Sequence, residues 1–75
     1  MIDVKSPVHP YVQIADQLRA GIAAGEYTDV LPSLTEIAED ADVAIGTAWR
    51  AMQLLKKEGL VYGVPGRGTF VRRER

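Results

Sequence analysis

The 75-residue chain has 47% hydrophobic and 25% charged residues, the balance of a soluble globular protein with room for one core. It contains no cysteine, which excludes disulfide scaffolds, thiolate metal sites and cysteine nucleophiles. Its uncharged runs are far shorter than the about 20 residues of a membrane helix, and its N-terminus lacks the apolar stretch of a signal peptide. We therefore expect a cytoplasmic protein.

Charge is distributed unevenly along the chain. The formal net charge is −1, whereas a general polyanion binder usually carries a clear excess of lysine and arginine. Residues 29–58 have a net charge of −3, and residues 59–75 have a net charge of +3. Any affinity for nucleic acid is therefore expected at the C-terminal end.

The first predicted helix covers about residues 10–24 and follows an N-terminal arm at 1–9. Its apolar residues recur at the spacing of one helix face. Pro10 suits the first helical turn, and Gly25 is a typical C-terminal stop. Gly21 lies inside this helix, where we expect it to permit close packing.

A second, shorter helix is predicted over about residues 34–41. Ser33 precedes Glu36 by three residues, which is the S-x-x-E pattern of a capping box. Val30 and Leu31 are too few for an independent strand, and we expect them to add an edge to a small sheet.

The third predicted helix covers about residues 45–58 and follows a short connection at 42–44. Its spacing places Ala48, Ala51, Met52 and Leu55 on one face, and Gly59 is its expected stop. Two runs rich in β-forming residues come next, at 60–62 and 69–71. The glycine-rich segment 63–68 separates them, which is typical of a β-hairpin.

This order of elements predicts an α+β fold that is mostly helical, with three helices and a small antiparallel hairpin. Two short helices joined by a tight turn form a helix-turn-helix, which places its second helix in a major groove. A hairpin after that helix makes the fold a winged helix-turn-helix. We expect this domain to span residues 10–72, with 73–75 as a C-terminal tail.

The sequence contains no pattern typical of catalysis or of a metal site. His9 is the only histidine, so a zinc site is not expected. The carboxylates of residues 36–42 lack the ligand spacing of a calcium loop, and a solvated helix face explains them better. No cofactor is expected.

Six stretches of this sequence resemble the GntR family of bacterial transcriptional regulators. Their order and spacing are specific to that family, and the resemblance covers about residues 7–72. The stretches are 11–19, 22–27, 31–33, 36–39, 58–61 and 65–71.

The resemblance implies a DNA-binding regulator of transcription that is not an enzyme, with a recognition helix at about 45–58 and a wing at about 60–71. It implies double-stranded operator DNA as the partner and binding as a homodimer. The family's small-molecule effector pocket lies in a second domain, which we expect this chain to lack. The residues it places at DNA are Ser33, Thr35, Ala44, Ile45, Gly46, Thr47, Trp49, Arg50, Gly66, Arg67, Gly68 and Thr69.

Several of these positions depart from the family pattern. Thr35, Ile45 and Trp49 stand where family members typically carry arginine, and Asp42 replaces a turn glycine. Arginine is the commonest reader of guanine, so these departures weaken the expected DNA binding. The alternative is a winged-helix interaction module that binds a protein partner through Ile45 and Trp49. A third hypothesis is an architectural accessory protein that uses mainly the wing.

The sequence leaves the placement of four of these side chains open. Trp49 is either exposed beside Ile45, as in a protein-contact patch, or folded back into a small core. Arg67 either contacts a minor groove or phosphate, or is a solvated arginine in a turn. Thr47 and Arg50 fit groove and phosphate contacts, and they also fit a solvated helix face.

Overall fold

The computed structural model describes residues 2–3 and 5–72, so the predicted tail at residues 73–75 lies outside the described part of the chain. Three helices and a two-stranded antiparallel sheet form within these residues. The predicted winged helix-turn-helix fold is confirmed. The elements are α1 (Pro10–Ala23), α2 (Leu34–Ala41), α3 (Ile45–Lys57), β1 (Val61–Val64) and β2 (Gly68–Val71).

The three helices pack their apolar faces around one core. Helix α3 lies at its centre, because α1 and α2 both contact it. Burial of apolar surface of this kind is the dominant favourable contribution to folding. The buried face of α3 is the one predicted from its spacing, and its members are Ala48, Ala51, Met52 and Leu55.

Helices α1 and α3 end one residue earlier than predicted, and α2 ends at the predicted residue. A residue in the left-handed conformation follows each helix and stops it. Gly25, Asp42 and Gly59 have φ angles of 82°, 57° and 81°. In each case the following residue donates its N–H to the carbonyl five residues earlier, which is the Schellman motif. The glycines are the expected stops. The aspartate after α2 was predicted only as part of a connection.

Asp42→Gly is expected to stabilise the domain by about 1 kcal/mol, since the left-handed conformation is costly for a residue with a β-carbon. Asp42→Asn is the matched control, because it removes the charge and keeps the β-carbon. Urea unfolding of the three proteins measures the effect. Equal stabilisation by both substitutions would assign the gain to charge, and a loss of stability in Asp42→Gly would contradict the backbone explanation.

Gly21 allows the chain after α1 to fold back closely against that helix. A β-carbon at this position would lie 2.5 Å from Cε2 of Tyr27, and Tyr27 packs against the core. The expected close packing is therefore present, which explains a glycine inside a helix despite its low helix propensity.

A bidentate ion pair joins α1 to the end of α3. Arg19 donates from Nε and Nη2 to the carboxylate of Glu58 at 3.0 and 2.9 Å, and from Nη1 to Asp16 at 2.6 Å. The hydrogen bonds to Glu58 and then to Asp16 raise the pKa of Arg19 above its ordinary value. This cation is therefore engaged within the domain.

The hairpin strands are longer than predicted because the turn between them is tight. Arg67 donates its backbone N–H to the Val64 carbonyl at 2.9 Å, and Gly66 has a φ of 78°. Pro65 and Gly66 thus occupy the central positions of a type II turn. Residues 63, 64 and 68 consequently belong to the strands rather than to the connection.

The segment before α2 adds an edge to this hairpin, as predicted. Val30 forms an isolated antiparallel bridge with Phe70. Leu31 donates to the Thr69 carbonyl at 2.9 Å, and Val71 donates to the Asp29 carbonyl at 2.7 Å. The wing is therefore anchored to the segment that leads into α2.

The N-terminal arm is held against α1 by one side chain. Gln13 accepts from the backbone N–H of Asp3 at 2.8 Å and donates to the carbonyls of Asp3 and Val8 at 3.1 and 2.9 Å. Ile2 packs against the core. The described part of the arm is consequently an integral part of the folded domain.

The described residues contain neither a membrane-spanning helix nor a group of side chains that could hold a metal ion. No helix within residues 2–3 and 5–72 is long and apolar enough to cross a membrane. In the same range, no group of three or more His, Asp or Glu side chains is arranged to hold a metal ion.

Candidate nucleic-acid interface

The start of α2 is fixed by a capping box. Ser33 accepts the backbone N–H of Glu36 on its hydroxyl at 3.1 Å, and the Glu36 carboxylate accepts the N–H of Ser33 at 3.0 Å. This reciprocal pairing confirms the S-x-x-E prediction. Thr35 lies exposed in the first turn of α2. The Ser33 hydroxyl is engaged in holding the helix start in place.

The N-terminal half of α3 carries an exposed apolar pair. Ile45 and Trp49 are 54% and 52% exposed, and residues four apart lie on the same helix face. The alternative in which Trp49 folds back into the core is therefore wrong, because the core closes over aliphatic side chains instead. Ala44 is the N-cap and makes no side-chain cap, and the space beside Gly46 is open.

Arg50 lies on a different side of α3, against the start of α1. Its guanidinium carbon lies 4.7 Å from the centroid of the Tyr11 ring, a distance at which the cation is attracted to the ring face. Tyr11 in turn stacks on His9 with a centroid separation of 6.1 Å. Arg50 is exposed, so it is positioned by Tyr11 while its charge stays accessible. Thr47, by contrast, is half-buried.

The wing places its predicted residues at an exposed tip. Gly66, Arg67 and Gly68 are all exposed, whereas Thr69 is half-buried and lies opposite Gly63 in the sheet. The type II turn holds the backbone of Arg67 at the tip and leaves its side chain free to meet a partner. Arg67 is thus presented outward, whereas Arg73 and Arg75 of this basic end lie outside the described residues.

The outer face of the wing carries residues that sequence reasoning missed. Tyr62 and Phe70 are paired across the strands and stack at 6.0 Å, and the guanidinium carbon of Arg72 lies 5.2 Å from the Tyr62 ring centroid. Tyr62 pairs with Phe70 across the sheet, and Arg72 lies two residues after Phe70. Since side chains alternate between the two faces of a strand, all three lie on one face, which could be predicted only once the register was known.

The predicted residues therefore group into the N-terminal half of α3, the wing tip and the start of α2, with Arg50 on a different side of α3 from Ile45. The first turn of α3 contains no acidic residue, and Arg50 and Arg67 carry positive charge on the two exposed parts. The acidic side chains of α2 lie elsewhere, since Glu36, Glu39 and Asp40 line a shallow groove beside Tyr27 and Val30.

Comparison with known proteins identifies this arrangement. Residues 10–71 match the family described as "Bacterial regulatory proteins, gntR family". The chain belongs to the GntR family. The match extends from the first residue of α1 to the last residue of β2, so it covers every helix and strand of the described fold.

Relatives of known sequence and structure agree with this GntR assignment. The chain is 42% identical over 72 residues to the HTH-type transcriptional repressor NagR of Bacillus subtilis, covering 93% of this chain and 30% of NagR. YtrA from Sulfolobus acidocaldarius, a GntR-family transcription factor, superimposes with a TM-score of 0.88 at 36% identity, covering 100% of this chain and 81% of YtrA.

A second similar structure shows a domain of this size on DNA. The AraR DNA-binding domain in complex with an operator superimposes with a TM-score of 0.83 at 25% identity, covering 96% of this chain and 95% of that domain. The chain accordingly has the fold of a GntR-type winged-helix DNA-binding domain. It spans under a third of the length of the curated relative NagR.

Proposed function

We propose that this GntR domain binds operator DNA by inserting the N-terminal half of α3 into the major groove while the wing tip meets the flanking backbone or minor groove. The observation that carries the proposal is the exposure of that half of α3 within a winged helix-turn-helix. Such a helix contacts base edges through its N-terminal residues. Regulation of transcription follows from occupancy of the operator.

The predicted site residues divide into two roles under this proposal. Arg50 contacts phosphate, and Arg67 contacts phosphate or enters the minor groove. Phosphate contacts fix the register of a protein on the duplex. The exposed start of α3, with Thr47 beside it, faces the base edges. The start of α2, at Ser33 and Thr35, lies along the backbone.

The single tryptophan makes this proposal directly measurable. Trp49 is the only tryptophan in the chain and lies on the proposed interface, so duplex DNA is expected to change its fluorescence without any label. The affinity should fall as salt rises, with the logarithmic slope changing by about 0.9 for each phosphate neutralised. Absence of any fluorescence or anisotropy change with a randomised duplex library at low salt would contradict the proposal.

Tyr11→Leu is expected to weaken duplex binding about threefold, because it removes the ring that holds Arg50 in place, a cation–π attraction of about 0.5–1 kcal/mol. Tyr11→Phe is the matched control and should bind nearly as the unsubstituted chain does, since it keeps the ring face. Fluorescence titration of the three proteins with one duplex gives the comparison. Equal losses in both variants would show that the phenolic hydroxyl, rather than the ring, is what matters.

We further propose that two copies occupy a two-fold symmetric operator, because one small domain makes few base contacts. Half-site spacing near one helical turn would then be required. Sedimentation of the chain with duplexes carrying one or two half-sites tests the stoichiometry. The domain is proposed to act in the cytoplasm, at the nucleoid when bound, and to perform no catalysis.

A protein partner at Ile45 and Trp49 is the competing function. The exposure of these two side chains is compatible with it, and membership of the GntR family favours DNA instead. The two functions predict different results for Trp49→Ala, which would reduce duplex affinity in one case and only protein association in the other.

A further inference from the structure

The recognition helix presents apolar rather than charged side chains where base edges are met. We propose that Ile45 and Trp49 contact the C5-methyl groups of thymines in the major groove, so that this domain selects A·T base pairs at those positions. The inference rests on the proposed DNA binding and adds to it the class of sequence that is read.

Ile45 and Trp49 lie at the N-terminal end of α3. Ile45 is the first residue of the helix, and Trp49 lies one turn further along the same face. Each is about half exposed, although large apolar side chains in a small domain gain from burial. The N-terminal residues of a recognition helix are the ones that reach base edges, so both side chains enter the groove with the helix.

The chemistry of the major groove decides which base these two side chains can contact. Isoleucine offers no hydrogen bond, and the tryptophan indole offers only one N–H donor. Among the base edges of the major groove, the thymine methyl is the one apolar group. An apolar side chain pressed against guanine or cytosine would instead cover acceptors or donors without pairing them, which is unfavourable. The pair therefore favours thymine over the other bases.

The nearest cation on α3, Arg50, lies away from the Ile45 side of the helix. At about 100° per residue, Arg50 points about 140° around the helix from Ile45. It is also held 4.7 Å from the centroid of the Tyr11 ring, at the start of α1. In the described residues of the first two turns of α3, no other arginine or lysine is present. Arg50 is thus placed to contact the phosphate backbone of DNA. The Ile45 side of the helix has no guanidinium that could bind guanine.

The extent of the apolar pair distinguishes DNA from a protein partner. A stable protein interface buries about 800 Å² on each side. Two side chains that are 54% and 52% exposed supply much less than this, since even a whole aromatic side chain buries about 150–250 Å². Contact with individual thymine methyl groups requires only the exposed apolar surface that Ile45 and Trp49 provide.

The test replaces methyl groups one at a time. Duplexes that bind the 75-residue chain are selected from a randomised library, and each thymidine of the selected duplex is then replaced by deoxyuridine, which lacks only the methyl group. We expect thymine enrichment in the selected half-sites, and about a fourfold loss of affinity on removing each contacted methyl, the size expected for one buried methyl-sized group. Thymines outside the contact are expected to show no change.

Variants assign the effect to these side chains. In Ile45→Ala combined with Trp49→Ala, the deoxyuridine duplex should bind as well as the thymidine duplex. Val8→Ala is the matched control, because Val8 is also an exposed apolar residue, at 41%, and this variant should keep the full methyl dependence. Since Trp49 is lost in the double variant, binding is followed by anisotropy of labelled duplex. Thermal unfolding confirms that each variant folds.

Three results would overturn the inference. Unchanged affinity for every deoxyuridine duplex, or selected sites with guanine at the positions read by α3, would show that the pair does not read methyl groups. Loss of self-association in the double variant with unchanged duplex binding would assign the patch to a protein contact. If no duplex binds at low salt, the proposed function itself fails. This outcome can be distinguished from the three results above, since each of them requires a duplex that binds.

Discussion

Arg50→Glu is expected to weaken binding to every duplex by roughly tenfold or more and to reduce the salt dependence. One charge-assisted hydrogen bond contributes about 1.5–3 kcal/mol, and reversal of the charge adds repulsion from the phosphate. Because Arg50 lies against Tyr11 rather than beside Ile45, the loss should be similar for all sequences. Binding isotherms at a series of salt concentrations measure both the affinity and the slope, which should fall by about 1.

Lys5→Glu is the control for net charge, because it changes the charge of the domain equally at an exposed position of the N-terminal arm. It should cost much less affinity than Arg50→Glu. Equal losses in the two variants would mean that duplex binding depends on total charge and that Arg50 has no specific place at the interface.

Leu55→Ala is expected to destabilise the domain by about 2–5 kcal/mol, the usual cost of removing most of a buried leucine. Leu55 is 0% exposed and is one of two largest fully buried side chains among the described residues. Stability of about 0.05–0.15 kcal/mol per residue is typical of small proteins. The substitution therefore removes a large share of the stability of a 75-residue chain, and duplex binding at 37 °C should fall with it.

Leu54→Ala is the matched control at the neighbouring position. Leu54 is only partly buried and packs against the outside of the core, so it should cost clearly less. Urea unfolding midpoints compare the two variants. A smaller loss in Leu55→Ala than in Leu54→Ala would contradict the placement of α3 at the centre of the core.

Local patterns in the sequence predicted most of the fold. The capping box at Ser33 and the buried face of α3 depend only on residues three or four apart, and the structure confirms both. The stops at Gly25 and Gly59 depend on the freedom of glycine to adopt positive φ. Such signals are short-range, and they are therefore readable without knowledge of the tertiary structure.

The parts that could not be predicted depend on contacts between distant segments. Tyr11 and Arg50 are brought together only by the packing of α1 on α3. No local sequence pattern predicts this contact. The direction of Trp49 was open because helical spacing put it at the border of the buried face. The left-handed Asp42 was missed because aspartate adopts this conformation much less often than glycine.

The charge distribution has a structural explanation. Acidic residues of α2 line a groove beside Tyr27 and Val30, while Arg50 and Arg67 are exposed on α3 and on the wing tip. A net charge of −1 is thus an average over separate faces. Steering toward a polyanion depends on the local field of the contacting face, so the composition does not oppose DNA binding.

Backbone amide NMR of the labelled chain with a selected duplex tests the central claim most directly. We predict that the largest chemical-shift changes fall at residues 44–50 of α3 and at 65–69 of the wing, with smaller changes near Tyr11. The amides of the acidic face of α2, around Glu39, should change little. Changes centred on that α2 face, or no changes with any selected duplex at low salt, would contradict the assignment of α3 and the wing as the DNA interface.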